Sequence, residues 1–225
     1  MFVYSTRPYT SYSGACKDIP AAVIEGKRLV LVPFDESVPV EDSVLMHQYS
    51  CLDEDLYALM PFDAPETHDI FRNTLLLENW THNPTRLPFV IRDRANNSVV
   101  GLICYLSLQA AYKTIEIGQI WTAGPYQGQK VALEATHLLM RYAMDQGFVR
   151  IEWKTHHLNE ASKAAALSAG FIYEGTFRKH MFYKGQFRHT FYYAIIDDDY
   201  DKVKAIMDEK SAQLLPLQRR NTRVA

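Results

Sequence analysis

The chain has 225 residues, 48% of them hydrophobic and 22% charged, so it is long enough to bury the core of one large domain or two small ones. Its 24 Lys and Arg and 26 Asp and Glu give a formal net charge of −2, which removes the global electrostatic argument for a nucleic-acid binder. Three isolated cysteines (Cys16, Cys51 and Cys104) and the lack of any apolar run near ~20 residues predict a reduced, cytoplasmic protein with no disulfide framework, no zinc site and no membrane segment.

The first half of the chain predicts a short strand, two helical segments and a β-meander. We expect a strand over residues 28–33, one or two helical pieces over 41–60, a helix over 70–80, and strands over 87–91, 97–107 and 114–121. Residues 1–25 show no clear period and are interpreted as an N-terminal extension of a single domain that spans residues 1–225.

The second half alternates between helices and strands. Apolar residues at helical spacing from Val131, followed by Gly147 as a left-handed cap, predict the most secure helix of the chain. After this helix we expect a strand over 148–155 and a helix over 161–169 that Asn159 caps. We then expect a hairpin of strands 171–182 and 187–196, followed by a C-terminal helix and tail over 198–225. The order predicts an α+β fold with one mixed, mostly antiparallel central sheet flanked by helices.

The charges are unevenly distributed along the chain. Residues 29–71 contain ten acidic residues and no Lys or Arg, whereas residues 126–192 carry a net charge of +4. These segments are either ordinary solvated faces or the two sides of one site, cationic toward a phosphate-bearing ligand and acidic toward a cationic amine.

The turn over residues 126–132 joins an apolar strand to the helix that begins near Val131. The first backbone N–H groups of a helix have no intrahelical partners, so this junction can bind a phosphate without any charged side chain. The alternative interpretation is that the turn is an ordinary helix start that binds no ligand. A nucleotide P-loop fits less well, because Lys130 is followed by Val131 rather than by Ser or Thr.

Five segments in a fixed order resemble the GNAT acetyltransferase superfamily. They are Ile115–Trp121, Pro125–Glu134, Glu152–Lys154, Leu158–Lys163 and Ala169–Gly175. Within the superfamily, the chain is most similar to the branch that includes the ribosomal-protein alanine N-acetyltransferases, over roughly residues 26–200. The resemblance implies acetyl-CoA as co-substrate, no metal, and direct transfer of the acetyl group to a primary amine of a peptide or small molecule.

The resemblance also implies which residues hold acetyl-CoA. The family pattern Gln/Arg-x-x-Gly-x-Gly/Ala places Gln127 and Ala132 in a pyrophosphate loop, with Lys130 where the family has its central glycine. A left-handed lysine would cost on the order of 1 kcal/mol relative to glycine, so we predict an ordinary helical φ at Lys130. The full predicted set is Ile120, Trp121, Thr122, Gln127, Gly128, Gln129, Lys130, Val131, Ala132 and Asn159, with a backbone N–H near Ile120 for the oxyanion.

Glu116 matches the catalytic glutamate of the family, 11 residues before Gln127. A strand carboxylate can accept the proton that an amine must lose to attack a thioester. Glu116 is otherwise an exposed strand charge or an ion-pair partner. Ser162 is the hypothetical proton donor to the leaving thiolate, because the family's usual tyrosine position holds Ala166; for Asn159 and Ser162 the alternative is local helix capping.

Tyr57 and Phe62 are candidates for an acceptor pocket, with packing in the core as the alternative. His156 and His157 are not interpreted as a metal site, because neighbours on a strand are expected to face opposite ways and no third ligand is suitably spaced. The sequence therefore predicts an N-acetyltransferase, with an acyl-CoA-binding regulatory protein without activity as the alternative. We expect no nucleic-acid or membrane partner, and the exposed sheet edge is compatible with a homodimer.

Overall fold

A computed structural model of the protein describes residues 19–51 and 56–220. Its eight strands form one sheet in the order β1-β2-β3-β4-β5-β6-β8-β7. The strands are β1 Ile24–Glu25, β2 Leu29–Pro33, β3 Leu87–Asp93, β4 Val99–Gln109, β5 Thr114–Thr122, β6 Arg150–His156, β7 Ile172–Tyr183 and β8 Gln186–Ile196.

Every neighbouring pair in the sheet is antiparallel except β5 and β6, which run parallel. The parallel pair needs a crossover, and helix α2, Val131–Asp145, supplies it. The predicted mixed, mostly antiparallel sheet is therefore confirmed. The predicted final hairpin is confirmed as well: Lys184 and Gly185 form its two-residue turn, and both have positive φ, as the favoured hairpin turns require.

Three further α-helices flank the sheet: α1 Val40–Cys51, α3 Glu160–Ser168 and α4 Asp197–Ala212. The helix predicted over 41–60 ends at Cys51; residues 52–55 lie outside the described part of the chain, and turns follow them. Residues 1–18 and 221–225 of the predicted extension and tail also lie outside it. Within the extension the structure places strand β1.

The helix predicted over 70–80 is a π-helix, Ile70–Thr81. Its apolar residues are too dense along the sequence to define one α-helical face. In the wider i→i+5 winding, Phe71, Leu76 and Trp80 follow one another at steps of five and four residues, and all three are buried. The tertiary packing of these side chains decides the winding.

Helix α2 packs its apolar stripe against the centre of the sheet. Val131, Ala135 and Leu139 are all buried, as the periodicity predicts. The fully buried Tyr105 of β4 donates a hydrogen bond from its hydroxyl to the backbone oxygen of Leu139, which satisfies a polar group inside the core. Within the described ranges, no helix is both long and apolar enough to cross a membrane.

Candidate active site

Strands β5 and β6 pair at one end only, and a cleft opens where they separate. Their register runs from Thr114 opposite Arg150 to Glu116 opposite Glu152 and then stops. Beyond Glu116, β5 has a bulge against β4 at Gln119, whose φ is +50°. The cleft has a volume of about 640 Å³ and is lined by both strands, by α3 and by the final hairpin.

Glu116 lies at the closed end of this opening and is only 8% exposed. Its Oε2 accepts a hydrogen bond from Ser107 Oγ at 3.1 Å and another from Lys154 Nζ at 2.9 Å. The carboxylate therefore lines the cleft and is also an ion-pair partner, which was the alternative interpretation of this residue from the sequence.

Lys154 lies between two carboxylates. Its Nζ is 2.9 Å from Glu116 Oε2 and 2.9 Å from Glu152 Oε2. Burial by itself would lower the pKa of Lys154, but the two carboxylates raise it above its ordinary value. Burial would likewise raise the pKa of Glu152, and hydrogen bonds from Arg150 and Lys154 lower it instead. Glu152 and Lys154 on β6 are therefore both ionised at neutral pH.

The turn before α2 differs from the prediction at Lys130. This residue has φ 60° and ψ 27°, a left-handed conformation, so the predicted helical φ is wrong. The chain must reverse direction between Gly128, also at positive φ (75°), and the first turn of α2. The geometry of that turn outweighs the local cost of a side chain in the left-handed region, which is on the order of 1 kcal/mol.

The same geometry leaves the start of α2 without a side-chain cap. Lys130 occupies the N-cap position and makes no capping hydrogen bond, and the first intrahelical bond is donated by Glu134 to the oxygen of Lys130. The N–H groups of Val131, Ala132 and Leu133 precede that bond and have no intrahelical acceptor. An uncapped helix start with a lysine at its entrance fits an anionic group.

The C-terminal tail holds this turn in place. Gln129 donates from Nε2 to the oxygen of Gln218 at 2.7 Å and accepts from the backbone N–H of Gln218 at 2.9 Å. The backbone N–H of Arg220 donates to the oxygen of Pro125 at 3.1 Å. The guanidinium of Arg220 lies near Gly128, 3.7 Å from the position that a Cβ there would take. Hydrogen bonds from the C-terminal tail thus hold the turn in place, and the cations Lys130 and Arg220 lie at it.

Asn159 and Ser162 lie at the start of α3, where it faces the cleft. Asn159 caps the helix by accepting a hydrogen bond from the backbone N–H of Ser162 at 2.9 Å, as the capping alternative proposed. The hydroxyl oxygen of Ser162 accepts from Trp153 Nε1 at 3.0 Å. This contact uses the oxygen and leaves the hydroxyl hydrogen available to a group in the cleft.

The predicted site residues fall into three groups in the structure. Those that line the cleft are Glu116, Ile120, Thr122, Ala132, Asn159 and Ser162. Gln127, Gly128, Gln129, Lys130 and Val131 form the turn beside it. Tyr57, Phe62 and Trp121 do not line the cleft; they border an apolar cavity of about 30 Å³ next to it, and Met60 and Gln119 line both.

The final hairpin closes one side of the cleft. Its turn reaches the segment after α1, where Tyr183 donates to the oxygen of Leu59 at 3.1 Å and Lys184 to the oxygen of Tyr57 at 2.7 Å. That segment contributes Leu59, Met60 and Pro61 to the lining. The acids that the structure describes between residues 29 and 71 are absent from the lining, so it gives no support for an acidic approach to the cleft.

His156 and His157 do not face opposite ways, contrary to the expectation. Their rings stack, with centroids 4.5 Å apart and planes inclined by 18°. Strand β6 ends at His156, so the alternation of a strand no longer applies at the next residue. Burial, with smaller contributions from His157, Arg188 and His189, lowers the pKa of His156 to about 4, so it is neutral at pH 7.

The sequence analysis missed Ser107, Lys154 and Arg188 as cleft residues. The signal for Lys154 was its place on the charged face of β6, two residues after Glu152. The signal for Arg188 was its spacing from Thr190 and Tyr192 along β8. Residues two apart share a face of the sheet, so these three side chains lie on one face. Ser107 gave no signal.

The cleft opens between two parallel strands and has a buried carboxylate where they separate. An uncapped helix start lies beside it. Such an arrangement can bind an elongated anionic ligand and accept a proton. The family model of the acetyltransferase (GNAT) domain matches residues 28–172. The chain belongs to the GNAT acetyltransferase family, and the predicted class of enzyme is confirmed. A comparison with curated proteins gave no match.

Solved structures with the same fold include several acetyltransferases. A GCN5-related N-acetyltransferase from Brucella melitensis is 26% identical, with a TM-score of 0.79 and 88% of each chain covered. A GNAT-family acetyltransferase from Chromobacterium violaceum is 25% identical, with a TM-score of 0.80, covering 89% of this chain and 99% of that one. The ribosomal L7/L12 alpha-N-protein acetyltransferase RimL, 21% identical with a TM-score of 0.66 over 78% of this chain and 94% of its own, shares the fold.

Proposed function

We propose that the protein transfers an acetyl group from acetyl-CoA directly to a primary amine, with Glu116 as the general base. The observation that carries this proposal is a buried carboxylate that lines the cleft where β5 and β6 separate, next to an uncapped helix start. An amine must lose a proton to attack the thioester carbon, and Glu116 would accept it directly or through a water molecule.

The turn before α2 would bind the phosphates of acetyl-CoA. The N–H groups at the start of α2 would donate to the pyrophosphate, and Lys130 would add a cation in place of the family's glycine. Asn159 and the bulged segment around Ile120 and Thr122 line the path from this turn to Glu116. The turn thus lies beside the cleft that Glu116 lines, with Ala132 of the first turn of α2 in the lining as well.

Two groups would handle the charge that develops in the reaction. A backbone N–H near Ile120, in the bulge of β5, would stabilise the oxyanion. Ser162 would donate a proton to the departing thiolate, since its hydroxyl oxygen already accepts from Trp153 and its hydrogen is free to point into the cleft. None of the cysteines that the structure describes lines the cleft, which favours direct transfer over an acyl-enzyme.

The proposed acceptor is a protein N-terminus or a small amine, and the proposed location is the cytoplasm. RimL is named for acetylating the α-amine of a ribosomal protein, and it shares this fold. An α-amine, with an ordinary pKa of ~7.7–8.0, needs less help from a base than a lysine amine at ~10.4. A single buried carboxylate is sufficient for the first kind of acceptor.

The test is CoA release from acetyl-CoA with a panel of N-terminal peptides, polyamines, amino acids and aminoglycosides. We expect turnover by the wild type and a loss of about 10²–10⁴-fold in kcat for Glu116→Gln, with acetyl-CoA binding by calorimetry unchanged. Glu174→Gln removes an exposed acid that pairs with Arg150, and is the matched control. Tight binding of acetyl-CoA without turnover of any amine would instead identify an acyl-CoA-binding regulatory protein.

A further inference from the structure

Arg188 is a buried cation for which the described residues supply no ion-pair partner. It lies on β8, is 8% exposed and lines the cleft. Its Nε has no hydrogen-bond partner, and no carboxylate of the described ranges forms an ion pair with it. A buried N–H without an acceptor is costly, so the buried Nε of a cleft-lining arginine points to an acceptor that reaches it in the bound state.

The other three buried arginines show what this fold does with such a charge. Arg28 pairs with Glu134 at 2.7 Å, Arg92 pairs with Asp42, and Arg72 donates to the backbone oxygen of Val38 at 2.9 Å. All three, like Arg188, are 8% exposed. Arg188 is as buried as these three arginines, but it has no hydrogen-bond acceptor among the described residues. This distinguishes it from every other buried arginine that the structure describes.

Among the residues that the structure describes, the cleft lining holds no anion for Arg188. Among the described lining residues, Glu116 is the one carboxylate, and Lys154 already binds it. Arg86 and Arg188 add two further cations to the same lining, and neither has a salt bridge in the described part of the chain. His156 is neutral at pH 7. The described lining of the cleft therefore carries excess positive charge and attracts an anion.

Arg188 and Glu116 lie on the same face of the sheet. Arg188 shares a face with Thr190 and Tyr192, and Tyr192 is paired in register with Lys154, whose ammonium contacts Glu116. Helix α3 lies on the other face, since Trp153, one residue before Lys154, binds Ser162. Arg188 therefore lies on the face of the proposed base, away from the helix whose first residues line the proposed acetyl-CoA path.

The register also sets how far the anion lies from the reacting amine. Glu116 pairs with Glu152, Glu152 pairs with Ala194, and Arg188 is six residues from Ala194 along β8. At ~3.3 Å per residue the backbones are about 20 Å apart along the strand. The reach of the two long side chains sets the separation of their charged ends at roughly 10–20 Å, which an extended peptide spans with about three to six residues.

We infer that the acceptor is a peptide N-terminus with an acidic side chain about three to six residues after the reacting amine, and that Arg188 binds that carboxylate. This inference rests on the proposed N-acetyltransferase function. Arginine binds a carboxylate through two parallel hydrogen bonds, and in a buried site this bond is stronger than at the surface. Arg188 is a specificity residue in this assignment and takes no part in the transfer of the proton or the acetyl group.

The test uses pairs of eight-residue peptides that differ only by Asp or Asn at one position from 2 to 7. The wild type is expected to prefer Asp at one or two adjoining positions between 4 and 7, by on the order of 10- to 100-fold in kcat/KM, mostly through KM. Arg188→Gln is expected to bring this ratio close to one, and Arg188→Lys to give an intermediate ratio. Arg178→Gln removes an exposed cation of the neighbouring strand and should keep the preference.

Two results would overturn the inference while the proposed function stands: equal turnover of every Asp and Asn pair by the wild type, or an Asp preference that survives in Arg188→Gln. Without turnover of any amine the proposed function fails, and calorimetry of the same peptides with CoA present then decides the inference alone. Binding that depends on both Asp and Arg188 supports the anion site, and binding that depends on neither overturns it. Thermal unfolding with CoA verifies that each variant is folded.

Discussion

The ammonium of Lys154 lies 2.9 Å from Glu116 Oε2 and joins β6 to β5 at the point where the two strands stop pairing. The same ammonium lies over the ring of Tyr192, 5.4 Å from its centroid. One lysine thus connects the proposed base to the strand that carries Arg188. The contact therefore fixes where the carboxylate of Glu116 lies in the cleft.

Removal of this cation should destabilise the fold, because Glu116 and Glu152 then lose the ammonium that lies between them. Lys154→Met is expected to lower the free energy of unfolding by about 1.5–3 kcal/mol in urea unfolding, as the loss of a hydrogen bond between charged groups does. Lys204→Met, which breaks an exposed ion pair with Asp208 on α4, is the matched control and should cost less than about 1 kcal/mol. Equal stabilities of Lys154→Met and the wild type would show that these contacts do not stabilise the fold.

The left-handed Lys130 allows conformation and charge to be separated. Lys130→Gly and Lys130→Ala both remove the cation, but only glycine relieves the left-handed backbone. We therefore expect the glycine variant to be more stable than the alanine variant by about 1 kcal/mol in urea unfolding. Both should weaken acetyl-CoA binding equally in calorimetry if the charge alone matters. Equal stabilities would contradict the conformation that the structure gives Lys130.

Gly101 lies where β4 passes closest to β5. A Cβ at Gly101 would lie 2.2 Å from the backbone oxygen of Trp121, and neither strand can move without disturbing the pairing beside the bulge. Gly101→Ala is expected to lower the free energy of unfolding by about 3 kcal/mol, from overpacking. At Gly118 the nearest atom to such a Cβ is the flexible end of Leu106 at 2.8 Å, so Gly118→Ala should cost clearly less.

A buried histidine on α2 should make the protein less stable in acid. Burial, and to a smaller extent Lys210, lower the pKa of His137 to about 4, against the opposing effect of Asp208. Between pH 6.5 and 4 the unfolded chain therefore binds a proton that the folded protein does not, so stability falls as the pH falls through this range.

His137→Leu removes this contribution. The free energy of unfolding of each protein is measured by urea unfolding at pH 7.5 and at pH 5. The drop between the two pH values should be about 2 kcal/mol smaller in the variant than in the wild type. The remaining loss includes the share of His156, whose pKa is also lowered to about 4. The same loss in both proteins would show that His137 is not neutral in the folded state.

Local patterns predicted most of the fold. The apolar spacing after Val131, the cap at Asn159 and the Lys184–Gly185 turn each act over a few residues, so the sequence alone indicates them. The position of Glu116 before the turn is likewise a distance along one strand and one loop. These features depend on backbone preferences and periodicity, which do not require knowledge of distant neighbours.

The charge contacts of the site depend on which strands become neighbours. Lys154 and Glu116 are 38 residues apart and meet only because α2 returns the chain for a parallel pairing. Gln119 and Ile120 are successive residues that both line the cleft, because a bulge interrupts the alternation of β5. Trp121, the next residue, does not line the cleft. The simple alternation of a strand does not predict this arrangement.

The sequence by itself determined the order of helices and strands from β2 onward, the family and the candidate base, since each follows from local preferences or from motifs in a fixed order. The tertiary structure alone decided the backbone conformation of Lys130, because the reversal into α2 outweighs the preference of one residue. It also decided the burial of Arg188. Whether a charged side chain is enclosed, and whether an anion lies within its reach, depends on the strands that pack around it.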